Sequence, residues 1–176
     1  ANAQGLPPII GAILFPVGFA MIVVLSLELV TGSFAMLPAA FLAGRVSLMR
    51  TLANLAGVFL GNLIGGCLYA GMYAAVQTQF HHAAPTGAAA LIVAAAQAKT
   101  LGYSKLGGLG IGLCFLKAIL CNWMVCMGVV MGLTSQSTLG KISACWLPIF
   151  MFFALGFEHS VVNMFIIPAG MWMGHP

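Results

Sequence analysis

An all-α membrane protein with two broken transmembrane helices is the fold class this sequence predicts, and three observations point to it. The chain of 176 residues is 62% hydrophobic and 5% charged, with a mean hydropathy of +1.11. A soluble domain of that size cannot cover its surface with so few charges. Its apolar runs reach the ~20 residues needed to cross ~30 Å of hydrocarbon. Its two carboxylates, Glu28 and Glu158, each stand inside an apolar run with a proline ten positions further on, Pro38 and Pro168. An acid in hydrocarbon costs roughly 2.5–3.5 kcal/mol on insertion scales. Two matched polar interruptions, Ser26–Ser33 and Gly156–Asn163, therefore predict two helix breaks that build one central polar path.

The run from Ile9 to Ala43 is too long for one span and is interrupted by Ser26–Ser33. It predicts a first broken helix over about 9–44, its longer half over about 9–25. Arg45 and Arg50 mark an aqueous turn. The second span, about 51–76, carries no charge and places Gly57, Gly61 and Gly65 at every fourth position, a stripe that lets helix backbones approach closely. His81, His82, Pro85 and Gly87 make a polar turn. The apolar stretch that follows is too short to cross and predicts a short non-crossing, peripheral or re-entrant helix over about 88–98, ending at Lys99. The third span, about 107–133, carries Lys117 and Asn122. After a polar turn at Thr134–Lys141, the stretch over about 144–172 predicts the second broken helix. The expectation is one transmembrane domain over 1–176 with four crossing elements. Turns on one side hold Arg45, Arg50 and Lys141 against Lys99 and Lys105 on the other, an excess of one that leans toward the first side being cytoplasmic and does not fix the orientation by charge alone.

The basic residues are scattered, with no cluster to track phosphates, so the net charge of +4 is no nucleic-acid signature. The five cysteines sit in apolar runs without CxxC or Cys/His spacing and read as buried free thiols; no metal or cofactor is expected. No cleavable signal peptide is visible at Ala1, and the chain begins as if cut from something longer.

A break inside a membrane exposes backbone groups that lipid cannot satisfy, so it persists only where it lines a cavity or protein interior. A half-helix starting there offers N–H groups and about half a positive charge to an anion. The half-helices expected after Thr31 and after His159 are of this kind. Thr31 adds a hydroxyl, which in membranes often bonds a helix carbonyl instead. His159 adds an imidazole that donates when neutral and protonates near physiological pH, suiting a small anion or its weak acid. In a soluble core such a histidine reads as packing; beside an acid in a broken membrane helix it reads as functional. Glu28 and Glu158 are poor anion ligands, and each is expected buried beside its own loop, accepting backbone hydrogen bonds. Phe15, Phe19 and Phe152 read first as packing, Asn122 as a helix–helix hydrogen bond, and Lys99 as a snorkelling anchor.

Three stretches carry a family resemblance: Leu27–Ser33, Leu120–Cys126 and Gly156–Pro168, the last holding Phe157-Glu158-His159-Ser160 and Asn163. They resemble signature stretches of the formate/nitrite transporter family, with Gly61-Asn62-Leu63-Ile64-Gly65 similar to a fourth, in matching order over nearly the whole chain. The resemblance implies an aquaporin-like inverted-repeat helical bundle of six spans per protomer, a homopentamer in the lipid bilayer, and a pore in each protomer. It implies passage of small monovalent anions (formate, nitrite, hydrosulfide or lactate), often with a proton. By position it makes Thr31 and His159 the central pair. It sets Phe15 and Phe19 at the cytoplasmic constriction and Leu29, Val30 and Phe152 at the opposite one. Asn122 and Asn163 become supports, and Lys99 a basic residue drawing anions into the outer vestibule. It also implies that the first and sixth family spans lie outside this chain. Phe19 and Val30 stand where bacterial formate channels tend to have leucine and phenylalanine, and the stretch from Lys99 to Asn122 is longer. The membrane is a plasma or inner membrane, or an organelle membrane in a eukaryote.

Two other function classes compete. A neutral-solute pore of aquaporin type would carry an Asn-Pro-Ala pair, which this chain lacks. A membrane enzyme using Glu158 and His159 as acid and base meets a geometric obstacle, since adjacent helical residues point about 100° apart.

Overall fold

The computed structural model describes residues 6–174, with side chains from Ile9 onward, and the described residues form helices and no strand. In chain order these are α1 (Leu6–Leu14), α2 (Pro16–Leu25), α3 (Val30–Leu42), α4 (Leu48–Gln77), α5 (Ala88–Gln97), a π-helical turn (Ala98–Gly102), α6 (Gly107–Leu133), α7 (Thr138–Ala154) and α8 (Ser160–Gly174). The half-helix expected over 9–25 is stepped at Phe15. Pro16 has no N–H for the ladder, so the first segment closes with the Phe15 N–H on the Gly11 carbonyl at 2.9 Å and a new helix starts with proline at its first position.

Both breaks close their preceding helix in the same way. Ser26 takes a left-handed conformation (φ 55°, ψ 42°), and the Leu27 N–H reaches back to the Ile22 carbonyl at 2.9 Å. Gly156 is left-handed (φ 66°), and the Phe157 N–H reaches the Phe152 carbonyl at 3.1 Å. Each is a helix terminus that satisfies its own last carbonyls. An acid follows in each, then a capping residue, then a new helix. Ser26-Leu27-Glu28-Leu29-Val30 and Gly156-Phe157-Glu158-His159-Ser160 thus correspond residue for residue. Across the first break the helix axis bends by 44°.

Two helix starts lie earlier than the apolar pattern suggested. Ser47 accepts from the Arg50 N–H at 3.4 Å and extends α4 back to Leu48. Ser137 accepts from the Gly140 N–H at 3.0 Å, so α7 begins at Thr138 and the polar turn shrinks. Serine caps supply acceptors for otherwise unpaired N–H groups, a signal that hydropathy does not carry.

The chain forms two compact units. The first gathers the described residues up to Val58 with Lys117–Glu158; the second gathers Phe59–Leu116 with the described residues from His159. In the first, α1 and α2 pack on α7, and Gly128 of α6 lets Ile149 and Phe19 come close: a Cβ there would sit 3.2 Å and 3.3 Å from their side chains. In the second, α5 packs on α8 around Ala70, Ala74, Ala89, Ala169 and Met173. A Cβ on Gly170 would fall on Ala96 Cβ, and one on Gly66 would meet the Met164 carbonyl oxygen at 3.1 Å.

Large apolar side chains are exposed along the long helices, among them Leu60, Ile64, Leu68 and Met72 of α4 and Ile111, Phe115 and Trp123 of α6. Among the described residues α4 and α6 are long and apolar enough to cross a membrane, and the bent pair α1–α2 with α3 makes a third if counted as one span. This is an integral, multi-pass membrane protein.

Candidate functional site

In the first unit the site grows from the start of α3. Leu29 precedes the helix in extended conformation (φ −128°, ψ 116°) and brings no side-chain cap. Leu29, Val30, Thr31, Gly32 and Ser33 are all buried. Gly32 brings the turn against α6, where a Cβ would lie 3.1 Å from Val129. The Ser33 hydroxyl donates to the Leu29 carbonyl at 3.2 Å. From α6, the Asn122 amide donates to Cys126 Sγ at 3.4 Å, and the Cys126 thiol donates to the Thr31 carbonyl at 3.8 Å. Asn122 Oδ1 is buried and has no hydrogen-bond partner among the described residues. A cavity of about 260 Å³ opens beside the break, with Phe19, Glu28, Leu29, Gly32 and Ser33 on its wall.

Phe15, Phe19 and Phe152 also fall in this unit. Phe152 and Phe19 are buried. The Phe15 ring stacks on Phe153 at 4.3 Å and meets Phe152 edge-on at 5.5 Å. Phe15, Phe152 and Phe153 therefore form one aromatic cluster. The two acids differ as well. Glu158 is 6% exposed, whereas Glu28 is exposed and lies on the cavity wall. The expectation of burial is not met at Glu28.

In the second unit His159 is the cap of α8. Its carbonyl accepts the Asn163 N–H at 3.0 Å, and its Nδ1 accepts the Val162 N–H at 3.1 Å. A backbone N–H can only donate, so Nδ1 carries no proton and the neutral ring holds its one proton on Nε2. His159 is 6% exposed. The ammonium of Lys99, on the π-helical turn, is close enough for its charge to act on this imidazole. Such turns recur where a helix presents a functional side chain. Asn163 and Lys99 thus share a unit with His159, while Asn122 reaches Thr31 through Cys126. Cys126 was missed by the sequence reading. Its position four residues after Asn122, on the same face of α6, was the available signal.

A family model described as formate/nitrite transporter matches residues 1–176. The "Probable formate transporter" of Methanothermobacter thermautotrophicus is 37% identical over 97% of this chain and 64% of its own length. The formate channel FocA of Haemophilus influenzae is 33% identical over 97% of this chain and 57% of its own length. A solved structure titled FNT family ion channel superposes with a TM-score of 0.79 at 26% identity, over 99% of this chain and 65% of that one. The chain spans about three fifths of the length of the relatives it matches.

Proposed function

This chain belongs to the formate/nitrite transporter family, and from that premise we propose that it serves as a transmembrane path for small monovalent anions such as formate or nitrite. The observation that carries the reading is the pair of helix starts at the two breaks, α3 with buried Thr31 in its first turn and α8 capped by buried His159. A helix start presents partial positive charge without a mobile counter-ion, and a buried neutral donor adds direction without full charge. Such a site favours an anion while binding it weakly enough to release it. In this reading Thr31 and His159 each donate to the permeating anion, His159 through Nε2–H. Leu29, Val30, Phe19 and the Phe15–Phe152 cluster narrow the path, Asn122 and Asn163 support it, and Lys99 draws anions inward. The segment α7–break–α8 crosses the membrane as the second broken element, and the protein assembles as a homopentamer.

Proton coupling through His159 belongs to the same proposal. For the ring to take a second proton, Nδ1 must release the Val162 N–H. Proton exchange therefore opens the first turn of α8, and weak-acid flux rises as pH falls. The proposal is transport rather than catalysis. Proteoliposomes assayed in parallel with labelled formate, labelled nitrite and glycerol test it. Formate and nitrite are expected to equilibrate well above empty liposomes with glycerol excluded and no chemical turnover. Glycerol passage without anion passage would favour a neutral-solute pore and overturn the reading.

A further inference from the structure

We infer that Cys126 is a positioning residue for the Thr31 site, an inference that rests on the anion-path reading above. The thiol of Cys126 donates to the Thr31 carbonyl at 3.8 Å, and the Asn122 amide donates to the same sulfur at 3.4 Å. A thiol has one proton and can aim it in several directions. With a sulfur lone pair engaged by Asn122, the S–H is directed at Thr31. A helix carbonyl has two lone pairs, and the helical ladder uses one; the thiol takes the other. The relay ties the first turn of α3 to α6 at the residue that carries the hydroxyl. Gly32 allows this approach, since a Cβ there would already lie 3.1 Å from Val129. A helical threonine has two favoured χ1 rotamers, so holding its backbone in place limits where the hydroxyl can point. The relay also explains why an asparagine stands in an apolar span, one turn before the cysteine.

The test compares wild type, Cys126→Ala, Cys126→Ser and Asn122→Ala of the full protein in liposomes, with flux expressed per folded molecule from unfolding temperature and size. Cys126→Ala is expected to lower formate flux about two- to tenfold, the effect of one net hydrogen bond. It should also change the formate-to-nitrite ratio, because the turn that carries the hydroxyl is no longer tied to α6. Cys126→Ser retains a donor and should restore both. A double Cys126→Ala, Asn122→Ala variant should cost less than the two single effects combined, since both act through one carbonyl. A Cys126→Ala protein with wild-type flux and ratio, or a loss that tracks only the amount of folded protein, would overturn the inference. Infrared difference spectra separate its failure from that of the anion reading: the S–H band absent from Cys126→Ser should shift in Asn122→Ala whether or not the protein conducts. An unshifted band refutes the relay itself.

Discussion

His159 Nδ1 accepts the Val162 N–H at 3.1 Å and the neutral ring then keeps its proton on Nε2, so a substitution there removes an acceptor and a donor at once. Asparagine keeps an acceptor suited to a helix cap; phenylalanine does not. His159→Phe is expected to lower stability by about 1 kcal/mol, the usual worth of a cap, and His159→Asn by less, as read by thermal unfolding in detergent. Equal losses would show that the cap contributes nothing. The acids offer a second contrast. Replacing buried Glu158 with Ala should cost ~1–3 kcal/mol by leaving buried donors unpaired, with Gln milder. Exposed Glu28→Ala should stay within about 0.5 kcal/mol. Chemical type was readable at these positions: the acids, the histidine and the threonine stood out against an apolar background. Exposure was not, since Glu28 and Glu158 sit in matching sequence and yet differ in burial.

The helices follow from hydropathy, and their ends from local hydrogen bonds that hydropathy does not register. The helices near 51–76, 88–98 and 107–133 were legible because long or bounded apolar runs leave few alternatives. Ser47, Ser137 and the Phe15–Pro16 step were visible as residues, yet their effect depends on which N–H groups each turn leaves to be paired. Both breaks were legible, while the left-handed closures at Ser26 and Gly156 were not. Packing between elements rests on close approach at particular glycines. Gly170→Ala places a Cβ on Ala96 and should separate α5 from α8, destabilising by roughly 1–3 kcal/mol as overpacking does. Gly61→Ala meets nothing within 4 Å and should leave the unfolding temperature of the protomer nearly unchanged. Equal sensitivity at the two glycines would contradict this account of the helix contacts.

At the scale of the molecule, Gly57, Gly61 and Gly65 form an open stripe on α4, bordered by exposed Leu60, Ile64 and Leu68. The proposed pentamer would use such a surface for close helix approach. Gly61→Leu is then expected to shift native mass measurements from pentamer to smaller species while the protomer still unfolds cooperatively; an unchanged pentamer would remove the stripe from the interface. Assembly and substrate were the least legible features, because both depend on surfaces that meet something outside this chain. The proposed role of His159 in anion passage is tested most directly by formate efflux from liposomes at matched protein density, over about pH 5 to 8. Wild-type efflux should rise as pH falls. His159→Phe should abolish or flatten that rise, and His159→Asn should remain folded with an altered profile. Identical profiles for wild type and His159→Phe at every pH would contradict a histidine that handles the anion and its proton.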